Sequence, residues 1–216
     1  MNTDSARQQM VQQQVRTWAV FDEGVLHAFA NVCRDRYVPV EFSHCAYADA
    51  EIPIGMGQCM LRPSLDGRIL QAVDIGAGES VLEIGTGTGY LTACIARLAG
   101  SVTSIDLHKS FIEYAAERLD DDGVENVTLT QMDASVELPE DEFDVVIISA
   151  SVPEADERFP ALLRPGGRLF VVIGESPSKT ATLVTRDADG ELTATGLFET
   201  DIPPLVRANE RQQFSF

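Results

Sequence analysis

Val81-Leu82-Glu83-Ile84-Gly85-Thr86-Gly87-Thr88-Gly89-Tyr90 is the stretch on which the fold turns. Val81 to Ile84 are short, mostly apolar and partly β-branched, the composition of a buried strand. Glycines then alternate at Gly85, Gly87 and Gly89, ahead of an apolar run from Tyr90 to Leu98 at helical spacing. Glycine permits a sharp turn at positive φ and lets a ligand approach the backbone with no Cβ in the way. A strand, a glycine turn and a helix N-terminus together form a cradle of inward-pointing N–H groups. The plainer reading is a tight strand-to-helix turn without a ligand.

Two phosphate-binding motifs compete for the same pattern. A dinucleotide fingerprint, G-x-G-x-x-G, would need a small residue at position 90, where Tyr90 stands. A P-loop would need Gly-Lys-Ser/Thr, a triplet the chain lacks. The spacing E-x-G-x-G-x-G therefore favours a nucleoside without a pyrophosphate, with S-adenosylmethionine as the leading candidate. Val102 to Ile105 reads as the next strand, and Asp106 at its end lies 21 positions after Gly85. An acidic side chain at about that offset takes up ribose hydroxyls. Asp106 is also placed to cap the helix that follows near His108, and the two roles are compatible.

Outward from this point, strands and helices alternate. Strands are expected at 81–84, 102–105, 127–131, 143–149 and 168–174, with helices at about 90–99, 109–119 and 156–163. That alternation predicts a doubly wound, mostly parallel α/β sheet with helices on both faces. Pro165-Gly166-Gly167 reads as a turn feeding the strand that follows. Asp189-Gly190, between Ala181–Arg186 and Leu192–Glu199, is a hairpin pattern, so the last two strands are expected to pair antiparallel. Upstream, helices are expected over 4–15 and 23–32, the second capped by Asp22, and a short one over 65–73. Residues 43–63 fit neither period, because Pro53, Gly55, Gly57 and Pro63 interrupt both. Ile52, Ile54, Met56 and Met60 make the stretch too apolar for an idle loop, and a long ordered segment of this kind is often functional. The division expected is 1–63, N-terminal helices and a substrate-side segment, and 64–216, the cofactor core, within one compact unit.

Bulk composition narrows the function. With 44% hydrophobic residues the chain is globular, and 216 residues suit one α/β domain. The net charge of −18 repels phosphates, so nucleic acid is not expected as a partner. No apolar run approaches the ~20 residues of a membrane span, and the glutamine-rich N-terminus lacks a signal-peptide block. Cys33, Cys45, Cys59 and Cys94 form no C-x-x-C pair, so no metal is expected and a reduced, cytoplasmic setting is. No Ser-His-Asp or Cys-His arrangement suggests itself among His27, His44 and His108, and Cys59 reads as a small packing residue.

Taken together, these segments resemble the protein-L-isoaspartate O-methyltransferase family over nearly the whole chain. The likeness is carried by Ala46-Tyr47-Ala48-Asp49, by Ile52-Pro53-Ile54-Gly55-Met56-Gly57-Gln58, by 81–90 and by Leu163-Arg164-Pro165-Gly166-Gly167-Arg168-Leu169, with Met10 to Pro39 similar to the family's opening helices. It implies a class I methyltransferase fold of seven strands and methyl transfer from S-adenosylmethionine, leaving S-adenosylhomocysteine. The acceptor implied is a carboxylate of L-isoaspartyl residues in damaged proteins.

The cofactor residues implied are Glu83, toward the methionine part, Gly85, Thr86, Gly87, Thr88 and Gly89 in the cradle, Asp106 and Leu107 at the ribose, Asp133 and Ala134 at the adenine, and Ser149 at the sheet edge. On the acceptor side stand Gly57, Gln58, Leu61 and Arg62, with Arg62 either neutralising the acceptor or standing as a solvated charge. One departure falls here. Where the family typically reads Thr-Ile-Ser-Gln-Pro, with the Ser at the acceptor site, this chain has Cys59-Met60-Leu61-Arg62-Pro63. The hydroxyl has become an isobutyl group, which keeps open a different peptide or small-molecule acceptor, or a non-catalytic cofactor-binding module. The ending Phe214-Ser215-Phe216 also departs from the family's. No oligomeric state is assigned.

Overall fold

The computed structural model describes residues 3–208; the ending at 214–216 and the rest of 209–216 lie outside them. The chain opens with α1 (Thr3–Gln9), which widens into a π-helical stretch at Met10–Val15 and tightens into a 3₁₀ turn at Arg16–Trp18. Helix α2 (Glu23–Asn31) begins where the Asp22 side chain accepts from the Val25 amide, as the sequence predicts. Two 3₁₀ turns, Arg34–Arg36 and Val40–Cys45, follow.

The segment left without regular structure contains a small antiparallel hairpin, β1 (Ile52–Gly55) with β2 (Gln58–Met60). Its tip, Gly55-Met56-Gly57, runs through φ of +94°, +52° and +72°. Two glycines make that reversal accessible, and Met56 between them carries the strained conformation. Pro53 hides the hairpin in the sequence, yet it is tolerated because only one strand partners it. Ile52 and Met60 point into the core.

Helix α3 (Pro63–Val73) starts with proline at its first turn, where no N–H is needed. Then come β3 (Ser80–Ile84), α4 (Tyr90–Ala96), β4 (Ser101–Asp106), α5 (Lys109–Asp121), β5 (Val127–Gln131), β6 (Phe143–Val152), β7 (Leu163–Glu175), β8 (Ser178–Arg186) and β9 (Leu192–Thr200). The seven strands β3 to β9 form one sheet in the order β5-β4-β3-β6-β7-β8-β9. Pairing is parallel from β5 through β7 and antiparallel at β7–β8 and β8–β9.

Side chains of the central strands alternate between two buried faces. Val81, Val145 and Ile147 join the cluster under the N-terminal region, α3, α4 and α5. Leu82, Ile84, Val146 and Ile148 join the opposite one, with Phe159 and Leu162. The helix expected over 156–163 is replaced by a single 3₁₀ turn, Pro160–Leu162, on that second face. Pro160 has no N–H to return to the Asp156 carbonyl, and the Asp156 carboxylate instead captures the Arg158 amide at 3.0 Å. The Pro165-Gly166-Gly167 turn lies inside β7 as a bulge, since Phe143 pairs with Leu163 and Val145 already pairs with Arg168.

The chain leaves β3 outward to β4 and β5, then returns to β6 on the other side of β3. The carboxyl ends of β3 and β6 are thus a topological switch point, where open α/β sheets bind ligands.

Candidate active site

Gly85 follows β3 at φ +105° and its amide donates to the Ile105 carbonyl at 2.9 Å. A Cβ at this position would stand 2.3 Å from Ser149 Oγ, which would have to shift, and an L-residue is strained at this φ. Ser149, near the end of β6, donates to the carbonyls of Ile84 and Gly85 at 3.1 and 3.0 Å. The switch point is therefore laced from both of its strands. One residue further along the turn but one, Gly87 at φ +52° gives its amide to Asp106 Oδ2 at 3.0 Å. The other oxygen, Oδ1, accepts the His108 amide at 2.8 Å. Burial pushes the Asp106 carboxyl up from its ordinary value, while these two amides pull it back. Asp106 thus ties the turn to the start of α5 and still borders open space.

That space is a cleft of about 610 Å³, open to solvent. Of the residues expected from the sequence, Gln58, Gly85, Gly87, Asp106, Leu107, Asp133, Ala134 and Ser149 line it. Asp133 is held on both oxygens, Oδ1 by the amide and hydroxyl of Ser135 and Oδ2 by Arg207 at 2.8 Å. Burial raises its carboxyl, but these donors outweigh burial and keep it below the ordinary range. A second, smaller cleft adjoins the first through Ile54, Cys59, Gly85, Gly87 and Ser149, and it adds Thr86, Thr88 and Leu61.

Four of the expected residues lie elsewhere. Glu83 is fully buried beneath the turn and borders neither cleft; its Oε2 accepts from the hydroxyls of Thr92 and Ser104, and Thr86 Oγ1 meets Ser104 Oγ at 2.6 Å. Gly89 caps α4 and packs against α5, since a Cβ there would reach Ala115 Cβ at 2.9 Å. Gly57 belongs to the hairpin tip, with open space around it. Arg62 turns away, its guanidinium 5.4 Å from the centre of the Trp18 ring.

The structure adds walls beyond the expected site residues, of which Ile54 and Cys59 lie in the stretch that the sequence marks as too apolar for an idle loop. Ile54 and Cys59 come from the hairpin, His108 and Phe111 from the start of α5, and Pro204 to Val206 from the segment after β9. That segment is held by Ser151, whose amide and carbonyl bond Pro203 and Leu205. The Cys59 thiol bonds Glu51 at 3.7 Å and is pushed up to about 12, chiefly by burial, so it is no nucleophile at neutral pH.

A nucleoside fits these features. A Cβ-free cradle approaches from β3, a carboxylate whose two oxygens each accept one backbone amide stands at β4, and apolar walls from Ile54, Phe111 and Leu205 flank the space. Two carboxylates at its edge also favour a cationic ligand over an anionic one.

Comparison with known proteins identifies the family. Residues 5–210 match the model of the protein-L-isoaspartate(D-aspartate) O-methyltransferase family. A protein-L-isoaspartate O-methyltransferase of Brucella anthropi is 34% identical over 207 residues, covering 95% of each chain. One of Anaeromyxobacter dehalogenans is 40% identical over 172 residues, 78% of this chain and 82% of its own. Among solved structures, a Plasmodium falciparum chain assigned as a protein-L-isoaspartate O-methyltransferase, in complex with S-adenosyl-L-homocysteine, superposes with a TM-score of 0.80 at 20% identity, over 95% of this chain and 98% of that one. The chain belongs to the protein-L-isoaspartate(D-aspartate) O-methyltransferase family.

Proposed function

We propose that the chain transfers a methyl group from S-adenosylmethionine to a carboxylate, nominally that of L-isoaspartyl residues in proteins. The observation that carries this reading is the joined unit of Gly85, Gly87 and Asp106 at the switch point, in a chain of this family. In this reading residues 1–63 supply the acceptor side, through Ile54, Gln58 and Leu61, and 64–216 the cofactor side. Asp106 accepts from the ribose hydroxyls, with charge-assisted hydrogen bonds stronger than neutral ones. Asp133 and Ala134, which line the cleft, would border the adenine, with the Asp133 carboxylate as the acceptor for its amine.

The chemistry asks little of acid–base groups. A carboxylate with a pKa near 4 is already ionised at neutral pH and needs no general base. When bound, S-adenosylmethionine would supply an electrophilic methyl group to the carboxylate oxygen and would leave as the neutral thioether S-adenosylhomocysteine. The protein's part is to hold oxygen, carbon and sulfur in line and to keep water out. The buried Leu61, Met60 and Leu91 around the second cleft serve that exclusion. No helix among the described residues is long and apolar enough to cross a membrane.

Leu61 favours a second reading. It is 5% exposed and presents only carbon to the second cleft, where the family carries a hydroxyl. An acceptor other than an isoaspartyl peptide, including a small-molecule carboxylate, suits that wall. A tritiated-methyl assay on isoaspartyl and aspartyl versions of one peptide separates the two. Base-labile label on the isoaspartyl peptide alone is expected from the first reading. Label on neither, with cofactor binding intact, would exclude the first and leave a different acceptor or a non-catalytic cofactor-binding module.

A further inference from the structure

We propose that the buried pair Arg34–Asp66 is the receptor for the amino-acid end of the cofactor, with Asp66 taking the α-ammonium and Arg34 the α-carboxylate. This rests on the reading of the main cleft as an S-adenosylmethionine site.

The order of the strands sets the direction in which the ligand lies. Asp133, Asp106 and the Gly85–Gly87 turn follow β5, β4 and β3, which are neighbours in the sheet. With adenine at the first and ribose at the second, the remaining end of the cofactor falls over the third. The second cleft opens there, and Arg34 and Asp66 stand in its wall with Thr86, Thr88 and Tyr90.

The pair is built from two distant segments. Arg34 begins the 3₁₀ turn after α2, and Asp66 sits on the buried face of α3. Their side chains are 0% and 3% exposed, and Nη1 lies 3.3 Å from Oδ2. Arg34 Nη2 donates to the Leu61 carbonyl at 2.7 Å, and the guanidinium lies 4.6 Å from the centre of the Tyr90 ring. Arg34 Nε is buried and has no hydrogen-bond partner among the described residues. An unpaired guanidinium N–H in a cleft wall is a donor awaiting an acceptor.

Energetics point the same way. Two charges taken out of water lose their hydration, and their mutual attraction often fails to repay it. At 3.3 Å with one donor idle, this pair is not optimised for its own stability. A zwitterion, whose opposite charges sit on one carbon, gives each partner a counter-charge and gives Nε an acceptor. Glu83, the residue the sequence offered for this end, is sealed under the turn by Thr92 and Ser104.

The test is calorimetry with S-adenosylhomocysteine, its deaminated analogue and 5′-methylthioadenosine, which lacks both charges. In the wild type, removing the ammonium is expected to weaken binding by about tenfold or more, the scale of a charge-assisted hydrogen bond. Asp66→Asn is expected to weaken S-adenosylhomocysteine by a similar factor and to leave the two analogues within about twofold. A variant that weakens all three ligands alike marks the pair as purely structural and overturns the proposal. Should Asp66→Asn fail to fold, the wild-type series decides alone: equal affinity for S-adenosylhomocysteine and its deaminated analogue overturns it. In that outcome 5′-methylthioadenosine still binds and the cofactor reading stands. Binding of none of the three would overturn the cofactor reading and this proposal with it.

Discussion

The Gly87 amide reaches the Asp106 carboxylate across 3.0 Å, so the glycine turn after β3 and the acidic end of β4 are one hydrogen-bonded object. The same carboxylate restrains the start of α5 through the His108 amide. A ligand entering the cleft therefore meets an acceptor whose direction is already fixed, and ordering it costs little on binding.

Asp106→Ala is accordingly expected to act twice. Loss of the charge-assisted bonds to the ribose weakens S-adenosylhomocysteine binding by about 1.5–3 kcal/mol. The amides of Gly87 and His108 also lose their acceptor, so the melting temperature of the ligand-free protein falls. Calorimetry and a thermal melt on the same sample check both; unchanged affinity would remove Asp106 from the ribose site.

Gly85 and Ser149 are coupled by space. Gly85→Ala places a methyl group 2.3 Å from Ser149 Oγ and holds an L-residue at φ +105°. Strain of that kind costs about 1–3 kcal/mol. In the double variant Gly85→Ala/Ser149→Gly the clash is gone, which leaves the backbone strain and the loss of the two Ser149 hydrogen bonds that the Ser149→Gly single variant loses as well. A double-mutant cycle by denaturant melts is expected to give a non-zero coupling energy, with the double variant more stable than the sum of the singles predicts. Strict additivity would show that the turn relaxes away from β6.

How far the site was legible follows from distance along the chain. Gly85, Gly87 and Asp106 were readable because the chemistry lies in a fixed local spacing, one strand and one helix long. Asp22 as a cap and Asp189-Gly190 as a hairpin were readable for the same reason. Arg34 and Asp66 were not, because 32 positions separate two residues that each look like a solvated charge, and only the packing of α3 brings them together. The β1–β2 hairpin was obscured by Pro53, whose missing N–H argues against a strand unless the strand has a single neighbour. Pro204 to Val206 carry no motif; they reach the cleft because Ser151 holds that segment. The helix expected over 156–163 failed on Pro160 and on the Asp156 side chain, a local competition that apolar periodicity does not register.

Buried Glu83 gives the ligand-free protein a pH dependence. Burial lifts its carboxyl from an ordinary 4.5 to about 8, against the pull of Ser104 and Thr92. Asp66 is lifted in the same sense to about 7, with Arg34 opposing. A folded-state pKa above the unfolded one means the native state binds more protons, so stability falls as pH rises. The contribution is present in full below the ordinary carboxylate range and is lost once pH has passed through about 8. Glu83→Gln keeps an acceptor for Thr92 and Ser104 without the ionisation. Its melting temperature is expected to change less than the wild type's between mildly acidic and alkaline buffer. Parallel curves for the two proteins would show that Glu83 does not titrate in this window.

The acceptor question comes down to Leu61. The side chain is 5% exposed, belongs to the core under the N-terminal region, and borders the second cleft beside Gly85 and Gly87. Its carbonyl is held by Arg34, so the backbone at this position stays put when the side chain changes. Leu61→Ser removes buried carbon and is expected to cost stability on the scale of large-to-small core changes, about 2–5 kcal/mol. It also restores a hydroxyl where the family places one. A hydrogen bond to a charged acceptor is worth about 1.5–3 kcal/mol, or roughly ten- to a hundredfold in rate. Methylation of an isoaspartyl peptide is therefore expected to rise by that factor, measured well below the variant's melting temperature, with cofactor affinity little changed. If the wild type is already fully active and Leu61→Ser lowers the rate, the carboxylate is recognised by other donors. If both proteins bind cofactor and neither methylates the peptide, the isobutyl wall belongs to a site for a different acceptor.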